Sequence, residues 1–139
     1  RHLNITGAIE IGSKDVITRS TDRVNEDSIC ELLKSIRNKN LLENNITMIL
    51  DNASFNRSAK VKKLAKDLRI NLFYLPPYSP NLNPIERLWK FAKKKVLYNE
   101  YYEKFADFKC AFLTFFRGIR QYHNELETLI TDNFKVVAA

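Results

Sequence analysis

Two carboxylates in this sequence stand where chemistry could be done. Asp51 directly follows the apolar run "ITMIL", Glu86 lies in "NLNPIERLWK", and 34 residues separate them. A buried strand that ends on an ionised carboxylate is a usual ligand position of α/β proteins. Asp51 and Asn52 are equally a pair that simply turns the chain, and both readings stand. Glu86 also has two readings. Asn83 suits the N-cap, Pro84 the first helical position and Glu86 the third, a capping-box arrangement. The same geometry points the carboxylate back toward the strand ends that the preceding loop has just left. All four prolines of the chain, Pro76, Pro77, Pro80 and Pro84, fall in or next to that loop, and they restrict its approach. Paired carboxylates are the hard oxygen ligands that Mg²⁺ prefers. Two such ions about 3.5–4 Å apart are what phosphodiester chemistry uses.

These residues need elements to position them. Leu3, Ile5, Gly7, Ile9 and Ile11 alternate with other residues, and "VITRST" follows the turn residues Gly12 to Asp15, so residues 2–22 read as a β-hairpin. Ile29, Leu32, Leu33 and Ile36 form one helical face behind a cap at Asn25 or Asp27. "NITMIL", residues 45–50, reads as a strand buried on both faces. Val61, Leu64, Ala65 and Leu68 make a second helical stripe, with Asn56 or Ser58 as its cap. A strand over 70–75 and a helix over 84–97 follow, the latter with Ile85, Leu88, Trp89, Ala92 and Val96 on its apolar side. Phe105, Phe108, Phe112, Phe115, Ile119 and Tyr122 recur every three or four residues, so the spacing predicts a long C-terminal helix over about 103–123. The order β-β-α-β-α-β-α-α implies a mixed sheet with flanking helices and parallel later strands.

"MILDNASFN" followed by "YLPPYSPNLNPIERLWKFAKKKV" resembles the catalytic core of transposases of the IS630/Tc1/mariner superfamily. The spacing is similar to their last two acidic residues in the D-D-34-E arrangement, and the likeness runs from "LNITGAI" to the helix ending near Val96. This resemblance implies an RNase H-like α/β fold over residues 1–139 as one partial catalytic domain. It implies three carboxylates with two Mg²⁺ or Mn²⁺ ions, of which Asp51 and Glu86 would be the second and third. It further implies hydrolytic cleavage at transposon ends and strand transfer into target DNA. Many members have His at the position of Asn56 and Asp at that of Asn81. The first carboxylate lies in the family on a strand before the one that resembles Leu3–Ile11, so an N-terminally incomplete domain is expected. Asp15, in the hairpin turn, and Asp22, at the far end of the second strand, are poor substitutes.

The composition agrees with a nucleic-acid partner. Twenty-three basic residues against sixteen acidic give a net charge of +7 in 139 residues, which favours polyanions. Arg87, Lys90 and Lys94 share a helix face near Glu86 and are candidate phosphate contacts. Lys60 and Lys63 are candidates too, although a lysine-rich helix face is also an ordinary solvated surface. Hydrophobic content of 45% is globular. No apolar run approaches the roughly 20 residues of a membrane span, and no signal-peptide pattern opens the sequence, so no membrane partner and a bacterial-type cytoplasmic location are expected. Cys30 and Cys110 read as reduced, partly buried thiols, and His2 and His123 are isolated. An unpaired sheet edge would favour self-association. The alternatives are another nuclease or resolvase of the same fold, and a non-catalytic DNA-binding or dimerisation fragment.

Overall fold

A computed structural model describes residues 3–40, 44–77, 83–98 and 100–130. Pro80, Asn81 and His2 lie outside them. The chain divides into two compact units. One comprises Asn4–Ala8 and Ile17–Asn83, the other Arg1–Leu3, Ile9–Val16 and Pro84–Ala139.

The hairpin consists of β1 (Ile5–Ile9) and β2 (Val16–Ser20). Its ends are closed by the Thr21 N–H to the Asn4 carbonyl at 3.0 Å and the Glu10 N–H to the Asp15 carbonyl at 2.9 Å, an antiparallel pattern. The left-handed position of the turn falls on Lys14, at φ 63°, rather than on Gly12. The Lys14 ammonium bonds the Ile11 carbonyl inside the same turn.

The first unit is built on α1 (Glu26–Lys39), β3 (Ile46–Leu50), α2 (Ala59–Asp67) and β4 (Ile70–Tyr74). Asn25, not Asp27, caps α1. Its side chain accepts from the Ser28 N–H at 3.0 Å, while the Ser28 hydroxyl accepts from the Asn25 N–H at 2.9 Å. Ser58 caps α2 by accepting from the Val61 N–H at 3.2 Å. β3 and β4 pair in parallel, with Ile46 opposite Ile70 and Leu50 opposite Tyr74. A parallel pair cannot be closed by a tight turn, and α2 is the crossover. Ile29, Cys30 and Leu33 of α1 bury against Val61 and Ala65 of α2 and Ile70 of β4, with Met48 and Leu72 packed beside them.

Two expectations differ here. β3 is not buried on both faces, since Thr47 is exposed and only Leu50 is fully buried. One mixed sheet is also not what the described residues form: the hairpin and the β3–β4 pair are separate two-stranded sheets. No described strand bridges them by hydrogen bonds, so β3 pairs with β4 alone. The architecture is α/β with two small sheets.

In the second unit α3 (Pro84–Leu97) buries Leu88, Ala92 and Val96. It packs on α4 (Phe105–Arg117), with Trp89 edge-on to Phe116 at 5.5 Å and Phe91 edge-on to Phe115 at 6.1 Å. The expected long C-terminal helix is broken. α4 ends at Gly118, whose N–H bonds back to the Phe115 and Phe116 carbonyls. A 3₁₀ turn over Ile119–Tyr122 then leads into α5 (His123–Leu129). The aromatic period survives because the turn keeps Ile119 buried and Tyr122 stacked on Phe115 at 5.1 Å. Cys30 is buried and Cys110 exposed, and both are free thiols. Among the described residues no helix is long and apolar enough to cross a membrane.

Arg37 ties the first unit together. The residue is only 5% exposed. Its guanidinium donates to the Leu68 carbonyl at 2.9 Å, the Arg69 carbonyl at 3.2 Å and the Asn44 carbonyl at 3.3 Å. One side chain thereby joins the end of α1 to the approach to β3 and to the α2–β4 turn, where Arg69 sits at φ 59°. Arg37→Met should remove these charged bonds and leave the carbonyls short of donors, a cost of about 3 kcal/mol in urea unfolding. Arg37→Lys should recover only a minor part, because one ammonium cannot span the carbonyls that the planar guanidinium reaches.

Candidate functional site

The parallel register fixes where Asp51 emerges. β3 and β4 stop together, and the Leu75 N–H donates to the Leu50 carbonyl at 2.8 Å just beyond the pair. Asp51 is therefore the first residue past the carboxyl end of β3, and it is part-buried. Its two oxygens have different roles. Oδ1 accepts from the Ala53 N–H at 3.0 Å, the Asx turn in which a side chain imitates a backbone turn. Oδ1 also accepts from Asn56 Nδ2 at 2.8 Å. Oδ2 has no partner among the described residues. The chain-turning role thus uses one oxygen of the carboxylate and leaves the other open.

A 3₁₀ turn over Ser54–Arg57 carries Asn56 back over Asp51. The turn is closed by the Asn56 N–H to the Ala53 carbonyl at 3.0 Å, and Tyr74 at the end of β4 donates its hydroxyl to the Asn56 carbonyl at 2.8 Å. Burial pushes the Tyr74 phenol above its usual value, and nearby Arg57 partly opposes this. The Lys62 ammonium lies 5.9 Å from the centre of the Tyr74 ring. Neither Arg57 nor Lys62 forms an ion pair with a described residue. Of the candidates drawn from the sequence, Lys60 pairs with Asp27 of α1, and Lys63 lies 3.3 Å from Asp67. The cations near Tyr74 that carry no acidic partner among the described residues are therefore Arg57 and Lys62. Arg57 was not among the sequence candidates; its position directly after Asn56 is a signal visible only once the 3₁₀ turn is known.

Glu86 belongs to the second unit, in the first turn of α3. That helix begins at Pro84, so Asn83 takes the N-cap position and Glu86 the third helical one, as the sequence suggested. Asn83 is buried and Glu86 exposed. Arg87 is half-buried, and Lys90 and Lys94 are exposed along the same side of α3.

Asp51 fits a hard divalent cation as a single-oxygen ligand, since one oxygen is fixed by hydrogen bonds and the other is open. Among the described residues no group of three or more His, Cys, Asp or Glu side chains is close enough to hold a metal ion.

A family model for DDE superfamily endonucleases matches residues 1–109. The chain belongs to the DDE superfamily endonucleases. Asp51, Asn56, Arg57, Lys62, Tyr74 and Glu86 all fall within the match, as does the chain from β1 to the first turn of α4. DDE endonuclease domains are nucleases of the transposase type that act on DNA and generally use divalent metal ions. A similar protein is the uncharacterised protein y4pE/y4sA of Sinorhizobium fredii (strain NBRC 101917 / NGR234). It is 38% identical over 60 residues, 43% of this chain and 42% of that protein. The chain thus covers less than half the length of this relative.

The Tyr74 hydroxyl gives two measurable expectations. Tyr74→Phe should cost about 1 kcal/mol at neutral pH, one hydrogen bond to a part-buried carbonyl. Because the folded phenol sits above its ordinary value of 10.0, the folded chain holds its proton longer than the unfolded chain. The linked stability is full below that pH and is lost as pH rises through the folded value. Tyr74→Phe should flatten this alkaline decline relative to the parent chain in urea titrations.

Proposed function

We propose that this chain is part of the catalytic core of a transposase of the IS630/Tc1/mariner superfamily, with an RNase H-like fold. It cleaves transposon ends and transfers them into target DNA. Asp51 and Glu86 are the second and third of three carboxylates that hold two Mg²⁺ or Mn²⁺ ions. Asp51 carries this reading: in a DDE endonuclease, it leaves the carboxyl end of a parallel strand with one oxygen anchored and one open. The bound ions supply an activated attacking oxygen and stabilisation of the leaving one.

The chain's own residues bind and orient. Ala53 and Asn56 hold Asp51 still, while Arg57 and Lys62 offer positive charge near Tyr74 for a DNA phosphate. Arg87, Lys90 and Lys94 serve the same purpose along α3, where Glu86 both sits in the first turn and contributes its carboxylate. The separate hairpin and β3–β4 sheets support a further strand between them, bearing the first carboxylate. Where that strand is absent, the unpaired edge of β3 promotes self-association.

Nicking of supercoiled DNA by the full-length protein, with Mg²⁺ and with Mn²⁺, tests the reading. Asp51→Asn and Glu86→Gln should each abolish nicking. Glutamine serves at the third position of a capping box almost as well as glutamate, so Glu86→Gln should change stability by well under ~1 kcal/mol. Asn83→Ala should do the opposite, costing ~0.5–2 kcal/mol while activity at low temperature persists. Near-normal nicking by Glu86→Gln would make Glu86 a cap alone. DNA affinity should fall steeply with salt, and Arg57→Ala should reduce the slope of log K against log salt by about 1. An unchanged slope would remove Arg57 from the phosphate path.

A further inference from the structure

Resting on the reading of Asp51 as a metal ligand, we infer that Asn56 is a positioning residue that makes Asp51 a one-oxygen ligand, and so biases the site toward a small octahedral cation and against Ca²⁺. Asn56 is buried, at 6% exposure. Its Nδ2 donates to Asp51 Oδ1 at 2.8 Å and reaches the Asp51 main-chain carbonyl at 3.3 Å. With the Ala53 N–H also on Oδ1 at 3.0 Å, two donors already sit on that oxygen. Oδ2 alone is left for a cation.

The orientation of the amide is decided by its surroundings. Turned over, it would set its own oxygen against two Asp51 oxygens. In the orientation it holds, Asn56 Oδ1 is buried without a hydrogen-bond partner. An unpaired buried acceptor is destabilising. Leucine would fill a similar volume without that defect, so packing alone does not account for an asparagine here, whereas the donor to Asp51 does. The main chain that carries the amide is fixed as well. Its N–H bonds the Ala53 carbonyl at 3.0 Å, and its carbonyl accepts the Tyr74 hydroxyl at 2.8 Å. Tyr74 lies opposite Leu50 in the sheet register, one residue from Asp51. The carboxylate and the amide that orients it are thus both referred to the same pair of strands.

The consequence for the cation follows from coordination chemistry. Ca²⁺ takes six to eight oxygens and often holds a carboxylate by both, whereas Mg²⁺ demands near-octahedral geometry with single oxygens and waters. Occupying Oδ1 from the protein side removes the two-oxygen mode.

Mg²⁺ and Ca²⁺ titrations of the full-length protein by calorimetry, with the ¹³C carboxyl resonance of Asp51 reporting the site, test this. Asn56→Leu, with a folded spectrum, should lose about tenfold or more in Mg²⁺ affinity. The preference for Mg²⁺ over Ca²⁺ should shrink or invert, and the Asp51 carboxyl resonance should move in the free protein. A global structural defect would weaken both ions alike, and an unchanged ratio of the two affinities overturns the inference. Should Asn56→Leu not fold, Tyr74→Phe keeps the amide but loosens its main chain. A shift of the ratio toward Ca²⁺ then supports the role of Asn56, and an unchanged ratio overturns it. Asp51→Asn separates the two levels. If it abolishes binding while Asn56→Leu keeps the parent ratio, only the role of Asn56 falls. If Asp51→Asn binds Mg²⁺ like the parent, Asp51 is no ligand, and the functional reading falls with the inference.

Discussion

The parallel pairing of β3 with β4 is the constraint on which the first unit depends. Parallel strands cannot be joined by a short turn, so a crossover must run back along the sheet. α2 does this, and its apolar stripe closes the core with α1. The register then determines the outcome at the far end. With Leu50 opposite Tyr74, both strands finish level, and whatever follows them meets at one edge. Asp51, the 3₁₀ turn with Asn56, and the Tyr74 hydroxyl inherit their positions from that pairing. A slip of one residue would turn Tyr74 to the other face of the sheet and break its bond to Asn56.

Charge on the surface of this unit is sorted by packing rather than by composition. Lysines are spread through α2, yet Lys60 and Lys63 are each held by an aspartate. The Asp27 bond raises the Lys60 ammonium above its usual value. Exposed pairs of this kind add little to stability, but they lower the local positive potential. Arg57 and Lys62 remain without such partners among the described residues, and both lie close to Tyr74.

Much of this was legible in the sequence because it is local. Asn83–Pro84 marked the start of α3, and the apolar stripes of α1, α2 and α3 gave their buried faces. Asp51 stood out because an acidic residue ended an apolar run. What could not be read depends on contacts between distant residues. Asp27 and Lys60 meet only because α1 packs on α2, and the bond between Tyr74 and Asn56 exists only in the folded register. From the sequence the hairpin and the β3–β4 pair look like parts of one sheet; whether they are joined is decided by which strand edges find partners, and here the described strands form two separate pairs. Gly118 is a different case. The aromatic period runs through it, and periodicity outweighed a residue whose low helix propensity marked the end of α4.

Arg37 shows how unevenly a fold can distribute the demands it makes on its own sequence. At Asn44, Leu68 and Arg69 the groups it holds are main-chain carbonyls. Every residue type carries that acceptor, so the side chains at those three positions are free to drift without touching the tie. For these three bonds the burden falls on a single codon, that of the donor. Among relatives sharing this arrangement, the arginine would stand nearly fixed amid partners that vary, and a search for co-varying pairs would pass over the contact entirely.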